Sequence, residues 1–348
     1  MTAYLKDAFL FLRCLSLRKL YNYSLLKFSY FISVITKQNR QLGYPASISV
    51  EPTDQCNLRC PECPSGLGIL TRKAGYIEWE TYTSVIDQFK GHGISLNLYF
   101  QGEPFLHANL LNMIAYASKS NIYTSISTNG QMLNSFPAED LIRSGLNRLI
   151  ISADGLSQET YEKYRVGGRL DRVTEGMQSL ADAKVKLKAM NPVIVLQFIV
   201  WRHNEHELSG VKKWAGSNGA NIVQFKTAQV SYTKDASSVL PLNEKFSRYS
   251  KNSSGKFQLK STIPNECWKM WHSCVMTWDG NIVPCCFDKD AEFRMGNLKS
   301  ETLKSIWNND KYNHFRQVIL SDRKKNNICL NCSEGLNIAV EKSVFVAR

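Results

Sequence analysis

The cysteines of this chain are grouped rather than spread along it. Of the ten cysteines in 348 residues, three lie between positions 56 and 63 and six between positions 267 and 332, and only Cys14 stands apart. A secreted disulfide framework normally occurs in a short chain behind a signal peptide, and the first forty residues show no such pattern. We therefore expect a reducing, cytoplasmic compartment, where clustered cysteines usually bind metal. The chain should fold around two metal-bearing groups of thiolates.

Between residues 46 and 230, apolar β-branched runs alternate with stretches of helical character. This alternation predicts an α/β fold in which a parallel sheet is covered by helices, and its repetition predicts a partial (β/α)6 barrel. In β/α barrels the chemistry lies at the carboxyl ends of the strands. The predicted strands are Ser47–Pro52, Ser95–Phe100, Ile122–Ser127, Arg148–Ser152, Val193–Val200 and Ile222–Lys226, and the predicted helices are Glu78–Lys90, Ala108–Lys119, Asp171–Lys184 and Glu205–Gly216.

The segments on either side of this core, 46–230, differ from it in composition. Residues 1–45 are aromatic and basic, with seven basic residues and one acid in the first forty. They predict an amphipathic helix that packs on the protein itself or on an anionic membrane surface, so that the protein is cytoplasmic or peripheral to the membrane. Residues 231–263 are polar and predict a linker. Residues 264–335 form a second, cysteine-rich module, followed by a tail, 336–348.

The first predicted strand leads directly into a loop with the spacing C-x-x-x-C-x-x-C. Its three thiolates, from Cys56, Cys60 and Cys63, can bind three corners of an iron–sulfur cube and leave the fourth iron without a protein ligand. An open coordination position is what a catalytic metal site requires. Zinc is the alternative, but it needs a fourth ligand, and the adjacent residues include no histidine.

The sequence Cys56-Asn-Leu-Arg-Cys60-Pro-Glu-Cys63 resembles the signature of the radical S-adenosylmethionine (SAM) superfamily. The resemblance implies a [4Fe–4S] cluster whose open iron chelates the methionine part of SAM. It also implies that reductive cleavage of the sulfonium yields a 5′-deoxyadenosyl radical, which abstracts a hydrogen atom from the substrate. An electron donor such as flavodoxin or ferredoxin is then expected as a partner.

Polar residues follow the later strands at positions where this family binds SAM. Gly102-Glu103, after the second strand, resembles the Gly-Gly-Glu turn that receives the methionine ammonium, with Gln101 in place of the first glycine. Hydroxyl, carboxamide and carboxylate groups after the third and fourth strands would, by the same resemblance, hold the ribose and carboxylate of SAM. Ordinary turn and capping chemistry accounts for such groups about equally well. The predicted SAM contacts are Gly102, Glu103, Ser127, Asn129, Ser152 and Asp154.

The second cysteine group has the spacing of an auxiliary cluster module. Asp279-Gly280 between apolar flanks predicts a β-hairpin with Cys274 and Cys285 on opposing strands. The pattern resembles the SPASM and shorter twitch extensions of radical SAM enzymes, and its six cysteines fit one auxiliary [4Fe–4S] cluster better than the two of a full SPASM module. Zinc on four thiolates is the alternative. The predicted ligands are Cys267, Cys285, Cys329 and Cys332, with Cys274 and Cys286 as possible replacements.

These features favour an enzyme that begins the oxidation, epimerisation or rearrangement of a small molecule, sugar or peptide by abstracting hydrogen. The net charge of +13 favours an anionic partner, so two alternatives stay open. One is radical modification of RNA, although no RNA-binding module is recognised and nucleic acid is not the expected partner. The other is a non-catalytic, metal-stabilised scaffold at the membrane periphery.

Overall fold

The computed structural model describes residues 2–336 and the backbone of Val344–Phe345, so the predicted tail lies almost wholly outside the described residues. The six strands predicted between residues 46 and 230 are present at or close to the predicted positions, as its first six strands. The strands are β1 (Ser47–Val50), β2 (Ser95–Asn97), β3 (Tyr123–Thr128), β4 (Arg148–Ser152), β5 (Val193–Val200), β6 (Ile222–Thr227), β7 (Tyr249–Lys251), β8 (Phe257–Leu259), β9 (Ser273–Met276), β10 (Asn281–Val283), β11 (Gly296–Asn297) and β12 (Val344–Phe345).

The central sheet confirms the predicted α/β architecture. Strands β1 to β6 are neighbours in chain order and all pair in parallel. The C-terminal hairpin is not separate from this sheet, because β9 pairs in parallel with β1 and antiparallel with β10. The second cysteine module therefore extends the same sheet at its β1 edge, while β12 pairs with β6 at the other edge.

Helices cover the outer face of this sheet, and four of them, α4, α5, α8 and α9, lie close to the predicted bounds. The predicted linker contains a short helix, α10, and the two-stranded hairpin β7–β8. The helices are α1 (Ala3–Leu12), α2 (Leu17–Thr36), α3 (Pro64–Leu67), α4 (Trp79–Phe89), α5 (Leu110–Lys119), α6 (Ala138–Arg143), α7 (Gln158–Glu162), α8 (Leu170–Lys186), α9 (Leu208–Ser217), α10 (Ala236–Val239), α11 (Lys269–His272), α12 (Leu303–Asn308) and α13 (Asp310–Asp322).

The two faces of the sheet differ in polarity because successive residues of a strand point to opposite sides. Outward-pointing residues such as Ile48, Leu96 and Ile126 are fully buried beneath the helices in the main hydrophobic core. The opposite face is largely polar, and it encloses a lumen on the inner side of the curved sheet. The register places Asn97 beside Ser125 on this inner face.

The N-terminal segment forms two helices that pack on the rest of the protein. Leu10 of α1 packs against Tyr123 and Ile150 at the amino ends of the strands. Asp7 forms an ion pair of 2.7 Å with Arg148, so α1 closes that end of the lumen. Among the described residues, no helix is both long and apolar enough to cross a bilayer.

Candidate active site

The first cysteine loop begins where β1 ends, at the carboxyl edge of the sheet. The thiols of Cys56, Cys60 and Cys63 lie close enough to interact electrostatically, and the Cys63 amide donates a 3.1 Å hydrogen bond to the Cys60 carbonyl. Burial raises the pKa of the Cys56 thiol to about 11, although the Leu58 amide opposes this shift. Metal binding requires thiolates, and the cation offsets the cost of burying them.

Two donors from outside the loop point at its thiols. The Arg165 guanidinium lies 3.9 Å from the Cys60 sulfur, and the Asn129 side-chain amide lies 3.7 Å from the Cys56 sulfur. Asp154 holds Arg165 in place through a 2.6 Å ion pair that is buried on the carboxylate side. Positive charge and N–H donors beside sulfurs favour thiolates and stabilise a reducible cluster. The donor set therefore fits a cluster held by three cysteines.

The Gly102-Glu103 turn packs against the backbone of the cysteine loop. Gly102 has φ +72°, and a Cβ there would lie 2.4 Å from the Thr53 carbonyl oxygen and 2.6 Å from that of Gln55. The Glu103 amide donates a 2.7 Å hydrogen bond to the Gln55 carbonyl. Only glycine permits this approach. The requirement for glycine thus comes from the cysteine loop itself.

The carboxylate of Glu103 is buried and receives three hydrogen bonds from this chain. The donors are the Thr128 hydroxyl at 2.7 Å, the Asn129 amide at 2.7 Å and the Phe105 amide at 3.1 Å. Burial raises the pKa of Glu103, and these hydrogen bonds oppose the shift. The side-chain amide of Asn129 also donates to the Asn57 side chain at 2.8 Å. Both residues join the loops after β1, β2 and β3, and their contact with SAM stays a prediction.

The other predicted SAM contacts fall into two kinds. Ser127 and Ser152 stand at the carboxyl ends of β3 and β4, and their hydroxyls form no hydrogen bond with the described part of the chain. They are therefore available to a ligand. The Asp154 carboxylate already has partners within the chain: it accepts a 2.6 Å hydrogen bond from the Ile199 amide and forms an ion pair with Arg165. Its predicted contact with SAM is not tested by this geometry.

The predicted auxiliary ligands gather beside the hairpin. Cys285 interacts electrostatically with Cys267 and Cys332, and Cys332 with Cys329. Arg323 donates a 3.3 Å hydrogen bond to the Cys332 sulfur. Burial raises the pKa of the Cys267 thiol to about 11, and Arg323 opposes this shift. Four cysteines, two of them buried and two half-buried, with a guanidinium beside them fit a second cluster.

The two replacement candidates differ in their surroundings. Cys274 lies on β9 inside the main hydrophobic core, 1% exposed. Cys286 is exposed, and its sulfur lies 3.6 Å from the Lys269 ammonium. The predicted hairpin is present with Gly280 at φ +86°, but Cys285 lies beyond the end of β10 rather than on it. Within residues 2–336 no three metal-binding side chains converge on a single ion, and cluster ligands need not converge, since each binds a different iron.

Sequence patterns did not indicate the roles of Arg165 and Glu62. Glu62 lies inside the cysteine loop, is buried, and accepts hydrogen bonds from the amides of Ser231 at 2.6 Å, Tyr232 at 2.9 Å and Thr233 at 2.8 Å. These partners stand about 170 residues further along the chain. Arg165 lies between α7 and α8 in no recognised motif. No local signal could have found either residue.

The two cysteine groups flank one cleft. This cleft has a volume of about 340 Å³, and its lining includes Pro64, next to Cys63, as well as Lys289. The Lys289 ammonium interacts electrostatically with both Cys63 and Cys286. This cleft therefore borders both the catalytic cysteine loop and the C-terminal cysteine module.

Two family models match the chain, and each spans one cysteine group. The model of the radical SAM superfamily matches residues 50–205. The model of SPASM, an iron–sulfur cluster-binding domain, matches residues 267–333.

Two curated proteins are similar to this chain over most of its length. PqqA peptide cyclase of Gluconobacter oxydans is 26% identical over 292 residues, which cover 78% of this chain and 79% of that protein. GTP 3′,8-cyclase of Clostridium acetobutylicum is 26% identical over 323 residues, 84% of this chain and 98% of that protein.

Two crystal structures share the fold. SuiB of Streptococcus suis bound to SAM has a TM-score of 0.62 at 16% identity, covering 88% of this chain and 74% of that chain. BtrN in complex with AdoMet and 2-DOIA has a TM-score of 0.53 at 20% identity, covering 86% and 95%. The match to this enzyme family excludes the alternative of a non-catalytic, metal-stabilised scaffold. The chain belongs to the radical SAM superfamily: it is an enzyme that uses S-adenosylmethionine and a catalytic [4Fe–4S] cluster, and it carries a SPASM-type auxiliary iron–sulfur domain.

Proposed function

We propose that this enzyme abstracts a hydrogen atom from a small molecule or a peptide side chain that binds in the lumen of the sheet, below its two cysteine groups. The observation that carries the proposal is the polar lumen of about 700 Å³, whose lining residue Tyr99 lies close enough to Cys286 to interact with it electrostatically. A substrate there is within reach of both metal sites. A single auxiliary [4Fe–4S] cluster, on Cys267, Cys285, Cys329 and Cys332, is part of the same proposal.

When bound, the catalytic cluster and SAM supply the carbon radical that removes the hydrogen atom, forming 5′-deoxyadenosine. The residues of this chain hold and shield that chemistry. Asn129 and Arg165 direct N–H groups at the cysteine sulfurs. Glu62 ties the segment after β6 over the cysteine loop, which limits access of water. Ser127 and Ser152, whose hydroxyls have no partner in the described chain, are the side chains that we assign to SAM.

A small molecule or a peptide fits the lumen better than RNA does. The lumen has a volume of about 700 Å³ and is closed by α1 at its amino end, a size typical of pockets for small ligands. Peptide and nucleotide chemistry both occur among the similar proteins, as the names PqqA peptide cyclase and GTP 3′,8-cyclase state. We propose a cytoplasmic setting, in which the free thiols stay reduced.

The test is anaerobic reduction of the reconstituted enzyme with SAM, with 5′-deoxyadenosine measured by chromatography. Cys60→Ala should abolish this product, because the cluster loses one of three ligands. Cys14→Ser should not, because among the described residues that thiol bonds only to the Leu10 carbonyl, in α1. Cys329→Ala should reduce cofactor cleavage less than substrate turnover.

Two results would contradict the proposal. One is a wild-type enzyme that binds no iron after reconstitution, and the other is a Cys60→Ala variant that still forms 5′-deoxyadenosine.

With flavodoxin as the electron donor, the rate of 5′-deoxyadenosine formation should fall as ionic strength rises, because the chain carries a net charge of +13 and flavodoxins are acidic. A rate independent of salt would argue against electrostatic docking of such a donor.

We also propose that α1 and α2 contact an anionic membrane surface. Four of the five fully buried residues of α2 are polar. The Lys19 ammonium donates to the Asn121 carbonyl at 2.6 Å, and the Asn22 amide donates to the Tyr44 carbonyl at 2.8 Å. The opposite side of α2 is apolar and exposed. An apolar stripe flanked by basic residues is typical of helices that lie in a membrane interface.

This exposed stripe recurs at helical spacing along the whole of α2. Its large residues are 56–86% exposed, and they include Leu17 at 86% and Phe31 at 63%. A second copy of the chain would bring two basic segments together, since residues 1–40 hold seven basic residues and one acid; anionic lipid avoids that repulsion. The stripe consists of Leu17, Tyr21, Phe28, Phe31 and Ile35.

Vesicle flotation tests this contact. The wild-type protein should bind vesicles of phosphatidylglycerol and phosphatidylcholine and not those of phosphatidylcholine alone. The double variant Phe28→Glu, Phe31→Glu should bind at least about tenfold more weakly, because the two rings that would be buried in the membrane interface are lost. The control is Val185→Glu, an equally exposed apolar residue on α8. Unchanged vesicle binding, or a double variant that sediments as a smaller species than the wild type, would rule the contact out.

A further inference from the structure

The inner face of the sheet is polar where a sealed core would be apolar. The register places Gln197 beside Gln224, and Ile199 beside Lys226. Together with Asn97, the two glutamines and Lys226 line the 700 Å³ lumen. Polar groups in a cavity of this size point to a polar ligand rather than to packing.

Lys226 lines this lumen and has no partner among the described residues. Arg148 is neutralised by Asp7 at 2.7 Å, and Lys269 by Glu334 at 3.2 Å. No described residue forms a hydrogen bond or an ion pair with Lys226, whose side chain is accessible to solvent within the lumen. Because β6 ends one residue later, Lys226 stands near the carboxyl edge of the sheet, where the chemistry takes place.

Other cations surround this ammonium group. Partial desolvation by the walls of the lumen lowers the pKa of Lys226, and Arg148, Arg248 and Lys269 lower it further, while Glu334 opposes them. Like charges at close range destabilise the charged form of each group. An anion bound among them would relieve this repulsion and would gain several charge-assisted contacts.

We propose that Lys226 binds an oxyanion of the substrate, a carboxylate or a phosphate group, inside the lumen. The inference rests on the proposed function in one respect, because that function makes the bound anion part of a substrate. Gln224 on the same strand and Tyr99 after β2 line the same cavity and can orient the oxyanion. Lys226 is thus a specificity-determining residue: it selects anionic substrates and fixes one end of the molecule below the site of hydrogen abstraction.

Titration calorimetry on the anaerobic, reconstituted enzyme tests the site, with inorganic phosphate and with acetate as separate probes. The wild type should bind at least one of them saturably. Lys226→Met should weaken that binding at least tenfold, and Lys226→Arg, which keeps the charge, should largely retain it. The control is Lys213→Met, which removes the same charge from the outer surface on α9. Comparison of the two probes shows whether phosphate or carboxylate is preferred.

Absence of saturable binding to the wild type would overturn the site, as would Lys226→Met binding both probes like the wild type. Equal losses of anion binding in Lys226→Met and Lys213→Met would also overturn it, because a general effect of net charge would then explain the weaker binding. Cleavage of SAM by the wild-type enzyme is measured separately. Failure of that cleavage would contradict the proposed function, whereas failure of anion binding contradicts only the role of Lys226.

Discussion

Single residues decide whether the catalytic cysteine loop keeps its shape. At Gly102 a Cβ would meet the Thr53 carbonyl oxygen at 2.4 Å, and the backbone has φ +72°. The atoms in the way belong to the backbone of the loop, so they cannot turn aside as a flexible side chain would. The loop would have to move, and its three thiolates would move with it.

Gly102→Ala should therefore impair the catalytic cluster. The left-handed backbone alone costs about 1–2 kcal/mol, and displacement of the loop should lower the iron content by about half, the share of one of two four-iron clusters. Iron and sulfide per chain after anaerobic reconstitution measure this. Gly255→Ala is the matched control, since Gly255 has φ +77° with nothing within 4 Å. Full iron content in Gly102→Ala would contradict the prediction.

At the scale of elements, α2 shows that periodicity fixes a helix without fixing which face is buried. Its inner side lies against chain segments with free carbonyls, such as those of Asn121 and Tyr44, which need donors. Lys19 and Asn22 supply them, so most of the fully buried residues of α2 are polar and the apolar stripe turns outward. An amphipathic pattern alone would predict the opposite orientation.

The first helix, α1, is anchored by the carboxylate of Asp7 at the amino end of the lumen. Asp7 pairs with Arg148 at 2.7 Å and accepts a hydrogen bond from the Tyr123 hydroxyl. Asp7→Asn should lower the free energy of unfolding by about 2 kcal/mol, because it leaves a partly buried guanidinium without its charge partner. Urea denaturation followed by circular dichroism measures this.

Asp87→Asn is the control for this prediction. Asp87 also pairs with a cation, Lys90, and also accepts from a tyrosine hydroxyl, that of Tyr116, but both charged side chains are about half exposed. Exposed ion pairs contribute at most about 1 kcal/mol, so Asp87→Asn should lower the free energy of unfolding much less than Asp7→Asn does. Similar losses in the two variants would mean that α1 is not anchored by Asp7.

At the scale of the whole molecule, the catalytic core and the auxiliary module share one sheet. Strand β9 pairs with β1 over four residues, Ser47 to Val50 against Ser273 to Met276. The loop that holds the catalytic cluster leaves this same β1. Loss of either cluster should therefore weaken a common structure rather than an independent domain.

Cys285→Ala should lower the unfolding temperature of the entire protein by about 5 °C or more in a single transition, because the native state loses the stabilisation of a bound cluster. Anaerobic calorimetry of the reconstituted protein measures this. Cys14→Ser, far from both clusters, should leave the temperature close to that of the wild type. Two separate transitions, of which Cys285→Ala shifts only one, would refute the coupling.

The sequence by itself determined the features that depend on neighbouring residues. Cysteine spacing, the strand–helix alternation and the Asp279-Gly280 turn predicted the first metal loop, the parallel sheet and the hairpin, because each is a local pattern. Strand register, and with it the polar lumen, could not be read in this way.

Only the tertiary structure decided which long-range partners meet. It brought Arg165 to the Cys60 sulfur, Glu62 to the amides after β6, and β9 to the edge of β1. It also engaged Glu103 in hydrogen bonds within the chain and left Lys226 facing the lumen alone among the described residues. These outcomes depend on which side chains satisfy one another once the chain is packed, and no local pattern contains that information.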